Sequence, residues 1–160
     1  MIESASIAQQ FVAQVAERFR QQPAAADDDS AEWRNIRTTQ QLYKAICAGE
    51  FEAVVALMSE DVQLDIEGPG PVEFVRQVRG RQQMASVLRH NFATVADQQP
   101  EAQQVLAQGN MVSVFGYERG WMRADQRTYE VHWVHVFQFE NGQVVRIHQT
   151  IGPITYGARK

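Results

Sequence analysis

Near the start of the chain Ile7, Phe11, Val15 and Phe19 recur every fourth residue, with Ala8, Val12 and Ala16 beside them. Gln, Glu and Arg fill the other side, so the pattern predicts an amphipathic helix over 1–22. Pro23 ends it, and the run Ala-Ala-Ala-Asp-Asp-Asp-Ser reads as a polar, mobile linker. Trp33, Ile36, Leu42, Tyr43 and Ile46 form a second stripe over 31–48. Asp29 and Glu32 offer a capping pair at its start, and Gly49 a stop. Phe51 to Met58 predicts a short third helix.

From Val62 the period changes. Val62, Leu64 and Ile66 alternate with Gln63, Asp65 and Glu67, which is the two-residue period of a strand. Gly68-Pro69-Gly70-Pro71 breaks it, and Val72 to Val78 can pair as an edge strand. Met84, Val87, Leu88, Phe92 and Val95 give one more helical stripe, ending near Asp97. The remainder reads as strands over 101–108, 111–123, 127–139 and 143–151, joined at Gly109-Asn110, Ala124-Asp125-Gln126 and Asn141-Gly142. Helices followed by short-turned antiparallel strands define an α+β fold.

Composition narrows the function. The chain has 160 residues, with 15 Lys and Arg against 19 Asp and Glu, a net charge of −4. Nucleic acid needs a concentrated basic face, so it is not the expected partner. No apolar run reaches the roughly 18 residues of a membrane span, and the first residues lack the basic and apolar regions of a secretion signal. The single cysteine, Cys47, suits a reducing cytoplasm. No phosphate loop, dinucleotide fingerprint or nucleophile elbow is present, so no cofactor is expected.

Several spaced features together resemble one superfamily. The segment LYKAICAGEFEAVVALMSEDVQLD (42–65), the turn Val78-Arg79-Gly80-Arg81 and the hairpin HVFQFENGQVVRIHQ (135–149) are similar to corresponding parts of nuclear-transport-factor-2-like proteins. The likeness spans about 31–152 and is nearest the SnoaL-like and ketosteroid-isomerase-like branches. It implies a cone-shaped, curved antiparallel sheet with helices packed on its concave face, preceded here by an extra N-terminal helix. Residues 1–30 are then a helix and acidic linker, and 31–160 a SnoaL-like domain. It also implies a homodimer packed through sheet faces, with His132, Val134 and Val136 in the contact, and a small hydrophobic molecule as ligand.

Strand alternation sorts the side chains of such a cone. Tyr129, Val131, Trp133, His135 and Phe137 are expected inward on one strand, and Gly116, Glu118, Gly120 and Met122 on the one before. On the last strand His148 and Thr150 are expected inward and Gln149 outward. Helix-side residues Leu42, Ile46, Met58 and Leu88 complete the expected substrate-binding set.

His135 falls where ketosteroid isomerase carries its protonated aspartate, so the resemblance gives it a donor or general acid–base role. Glu118 matches an acid of limonene epoxide hydrolase. That enzyme's second acid falls on Gln149, which argues against epoxide hydrolysis. The isomerase's base falls on Ile66, and a one-residue slip would bring in Glu67, the third catalytic candidate. Its tyrosine falls on Leu42, with Tyr43 turned away by about 100°, so steroid isomerisation as such is not expected. His132 and His135 lie on opposite faces of a strand, so no metal site is expected. These features imply proton chemistry of an isomerase, cyclase or lyase on a small carbonyl compound. Glu118 or His135 would move the proton and the other would steady the enolate. The alternative is a binding module of the same fold without turnover.

Overall fold

The computed structural model describes residues 5–23, 26–71 and 73–159. The order is α1 (Ala5–Arg20), α2 (Ala31–Cys47), α3 (Phe51–Val55), β1 (Met58–Glu67), β2 (Gln77–Arg79), α4 (Arg81–Phe92), β3 (Val95–Gln108), β4 (Met111–Met122), β5 (Arg127–Glu140), β6 (Gln143–Ile151) and β7 (Thr155–Arg159). The linker expected over 23–30 includes residues 24 and 25, which lie outside the described residues. The N-cap of α2 is Ser30 rather than Asp29: its Oγ accepts from the Trp33 backbone N–H at 3.1 Å.

The strands form one unclosed sheet in the order β2-β1-β6-β5-β4-β3, with β7 added against β5. It is mixed rather than wholly antiparallel, because β1 runs parallel to β6. The chain gains this pairing by passing through β2, α4 and the β3–β5 meander before β6 returns beside β1. A parallel neighbour of that kind needs a long crossover, which short-turn reading does not find.

Two of the sheet's irregularities bear on which side chains face the cavity. In β3 one extra residue stands between the Ala96–Trp121 and Gln99–Arg119 pairs, where Asp97 has φ +52°. The bulge turns Gln98 inward, 5% exposed. In β6 the ladder passes from Arg146 opposite Gln138 to Val144 opposite Phe139, so Val145 is the extra residue. Val144 and Ile147 are therefore both buried, three apart, and the alternation beyond them is reversed.

Phe11, Val15 and Phe19 of α1 are fully buried and belong to the same core as α2 and the sheet. The helix lies along β3, the last strand of the sheet, and its side chains take that strand's free backbone groups. Gln22 forms a two-way amide pair with Ala107, accepting its N–H at 2.9 Å and donating to its carbonyl at 3.2 Å. One turn earlier Arg18 donates to the Ala102 carbonyl, and two turns earlier Gln14 accepts the Ala102 N–H. Positions 14, 18 and 22 thus stand in for a missing neighbour strand, the usual remedy for an exposed edge.

Candidate functional site

The helices and the concave side of the sheet enclose a mostly apolar cavity of about 150 Å³. Leu42 and Ile46 of α2, Met58 of β1 and Leu88 of α4 form much of its helix-side wall. Val131, Trp133 and His135 of β5 and Glu118 and Met122 of β4 face it from the sheet. The last strand departs from expectation. Gln149 lines the cavity, whereas His148 points outward, as the bulge at Val145 requires. Its Nε2 stands 3.5 Å from Glu67 Oε2, and the Glu67 side chain is 70% exposed. The slip that would admit Glu67 does not occur, because β1 stays in register from Gln63 to Glu67 and Ile66 fills the inward position. Glu67 and His148 are therefore outside the cavity.

Around Glu118 the sequence Gly116-Tyr117-Glu118-Arg119-Gly120 does specific steric work. Gly116 faces Trp133 across the β4–β5 ladder, and a Cβ there would lie 2.3 Å from the indole ring. Gly120 faces Tyr129, whose hydroxyl would meet a Cβ at 2.9 Å. Two large rings can therefore lie flat on β4 on either side of the carboxylate. The Tyr129 hydroxyl donates to Glu118 Oε2 at 2.5 Å, and Gln98 Nε2 donates to the same oxygen at 3.2 Å. Burial pushes the Glu118 pKa up, and these two donors hold it down, with the nearby indole of Trp133 adding to them. Burial also raises the Tyr129 hydroxyl, and the Glu118 charge raises it further, so it remains a donor.

The other polar group is a neutral pair. Tyr43 Oη lies 2.7 Å from His135 Nδ1, and the imidazole stacks on Trp133 at 4.1 Å between centroids. Burial pushes the His135 pKa down to about 3, so the ring is neutral at ordinary pH. Burial, and then Cys47, raise the Tyr43 pKa well above its usual range. With the imidazole proton on Nε2, Tyr43 donates to Nδ1; with it on Nδ1, the hydroxyl proton is free for the cavity. Phe11 of α1 braces this end, packing at 4.7 Å on Tyr43 and edge-on at 6.2 Å on Trp133.

Tyr43 and Gln98 are the site residues that sequence reasoning missed. The buried face of α2 is wide enough for Leu42 and Tyr43 together, so the 100° step does not carry Tyr43 away. Gln98 reaches Glu118 only through the β3 bulge, just past the stripe that reads as a helix ending near Asp97. Cys47 is buried, and burial raises its thiol to about 11, which leaves it no nucleophilic part. Among the described residues no group of three His, Cys, Asp or Glu is placed to hold a metal. His132 is exposed on the opposite face, beside Tyr117. No helix among the described residues is long and apolar enough to cross a membrane.

An unclosed, mixed α+β sheet with helices on its concave side, enclosing this polar-flecked cavity, defines the cone class of fold. The family model for the SnoaL-like domain matches residues 39–147, and the chain belongs to that family. Among proteins of curated function none matches the chain. Solved structures do. An NTF2-like protein from Burkholderia xenovorans LB400 aligns with TM-score 0.65 at 22% identity, covering 76% of this chain and 91% of that one. An LEH-like epoxide hydrolase of M. tuberculosis aligns with TM-score 0.61 at 16% identity, covering 76% and 85%. A protein of ketosteroid isomerase-like fold from Catenulispora acidiphila DSM 44928, in complex with trimethylamine, aligns with TM-score 0.59 at 11% identity, covering 70% and 82%. At these identities the likeness establishes the fold, and such folds carry many chemistries.

Proposed function

We propose that the cavity binds a small, mostly apolar carbonyl compound and that Glu118 removes a proton from the carbon beside the carbonyl. That step opens isomerase, cyclase and lyase chemistry alike, and it needs no cofactor. The observation that carries the reading is the state of Glu118. It is the one carboxylate among the described cavity-lining residues, and its Oε2 is fixed by Tyr129 and Gln98. A raised pKa makes it a stronger base, and its two donors keep the charged form accessible. His135, held neutral, serves with Tyr43 as a polar contact for the ligand rather than as the proton acceptor. The cavity volume suits a ligand of about the size of benzene.

A binding module without turnover is the second reading, favoured by one observation: Gln149, not a carboxylate, occupies the cavity position on β6. The same proposal includes a reducing cytoplasmic setting and a homodimer joined through the outer sheet face, where Val134 and Val136 are half-buried. The deciding experiment incubates the full chain with cyclohexanone in deuterated buffer and follows loss of the protons beside the carbonyl by NMR. Exchange well above the buffer rate is expected; exchange at the buffer rate, with the ketone shown to bind, would leave the binding module.

A further inference from the structure

The chain contains three tryptophans, and two of their indole N–H groups are engaged. Trp33 donates to the Ala26 carbonyl at 2.9 Å and Trp121 to Asp97 Oδ2 at 2.5 Å. The third, Trp133 Nε1, is buried with no acceptor among the described residues, although the residue is only 5% exposed. A buried donor left unpaired is costly, so an unpaired donor in a cavity wall calls for an explanation.

The ring cannot easily turn away to find a partner. Its six-membered part lies flat over Gly116, its face is stacked by His135, and its edge meets Phe11. The N–H is on the Glu118 side of the cavity, close enough to help hold that carboxylate charged but outside hydrogen-bond geometry. An unpaired donor, Nε1, therefore stands beside the Glu118 carboxylate.

We propose that Trp133 is a further catalytic residue, whose indole N–H donates to the carbonyl oxygen of the ligand while Glu118 Oε1 faces the adjacent C–H. This rests on the proton-transfer reading above and completes it. The proton passes from carbon to Glu118, the C–H electron pair becomes the new C=C bond, and the displaced carbonyl pair settles on the oxygen held by Trp133. The enolate oxygen is only two bonds from the carbon that lost its proton, so its donor must adjoin the base. Trp133 meets that condition. His135 stands four residues along β5 from Val131, the partner of Glu118, which is about 13 Å of strand; Trp133 stands half as far. The ligand class follows: a ketone or other carbonyl compound with at least one enolisable C–H and otherwise apolar.

The test uses the indole N–H signals of the wild-type full chain, titrated with cyclohexanone and with methylcyclohexane. The Trp133 signal should move downfield with the ketone and not with the hydrocarbon, while those of Trp33 and Trp121 stay put. Trp133→Phe, checked for an unchanged fold by its melting curve, should lower the deuterium exchange rate by about 10²-fold, the scale for losing one such donor. Exchange that proceeds normally in Trp133→Phe, or a ketone that leaves the Trp133 signal unmoved, would overturn this assignment and leave the role of Glu118 intact. A ketone-specific shift without any exchange would keep Trp133 as a ligand donor and remove the catalytic reading. A variant that fails to fold leaves the wild-type titration to decide.

Discussion

The two polar ends of the cavity meet the same physical pressure and answer it differently. Burial disfavours the charged form of any group, so it raises Glu118 and lowers His135, driving both toward neutrality. Glu118, however, receives two hydrogen bonds that favour its anion. His135 has one strong partner, Tyr43, a neutral phenol that gives no comparable support to an imidazolium. A proton can therefore come and go at Glu118 but not at His135. The difference assigns the working base by energetics rather than by residue type, although histidine is the more familiar acid–base group.

The largest expected effect breaks the contrast outright. Glu118→Gln keeps the shape and should lower exchange by about 10²–10⁴-fold, the range for a positioned acid or base, as read by NMR of the ketone. Phe11→Ala attacks the support of the other end. Removing a fully buried ring that braces Tyr43 and Trp133 should cost about 3–5 kcal/mol of stability by denaturant titration.

A pH series sharpens the comparison through its signs. His135 binds its proton more weakly folded than unfolded, so its contribution is fully present above the unfolded value near 6.5 and is lost as pH falls toward about 3. Glu118 works the other way: its raised pKa favours the fold at low pH, and that advantage is lost as pH climbs from the ordinary carboxylate value to the raised one. The ring signals of His135 should not titrate between pH 8 and 5. His135→Ala should therefore flatten the acid side of the stability curve. The smallest effect belongs to His132→Ala, on the outer face, which should leave exchange within about twofold while sedimentation reports any change in assembly.

The sequence made some of this legible for clear reasons. The β4 and β5 alternation runs without a bulge from Met111–Gln138 to Trp121–Thr128, so parity placed Glu118, Met122, Val131, Trp133 and His135 on one face. The bulge at Val145 defeated the same reasoning on β6, exchanging His148 for Gln149, because an extra residue leaves no periodic mark in nine residues. Strand β7 was not legible, since all five of its residues are exposed and carry no pattern. The start of β3 was read as helix because Val95 continues the spacing of Met84, Val87, Leu88 and Phe92, and the bulge after Ala96 turns Gln98 inward without leaving a periodic mark. Gln98, and with it half of the Glu118 hydrogen bonding, stayed hidden for that reason. Tyr43 was visible as a residue but not as a site, because the width of the helix face is set by tertiary packing.

The most direct test of Glu118 as the base is the pH dependence of kcat/KM for deuterium exchange into cyclohexanone, which reports groups ionising in the free protein. A single rise is predicted, with its midpoint above the ordinary carboxylate value near 4.5 and unchanged in His135→Ala, followed by a plateau on its alkaline side. A midpoint in the usual histidine range that disappears in His135→Ala would contradict it and make the imidazole the base.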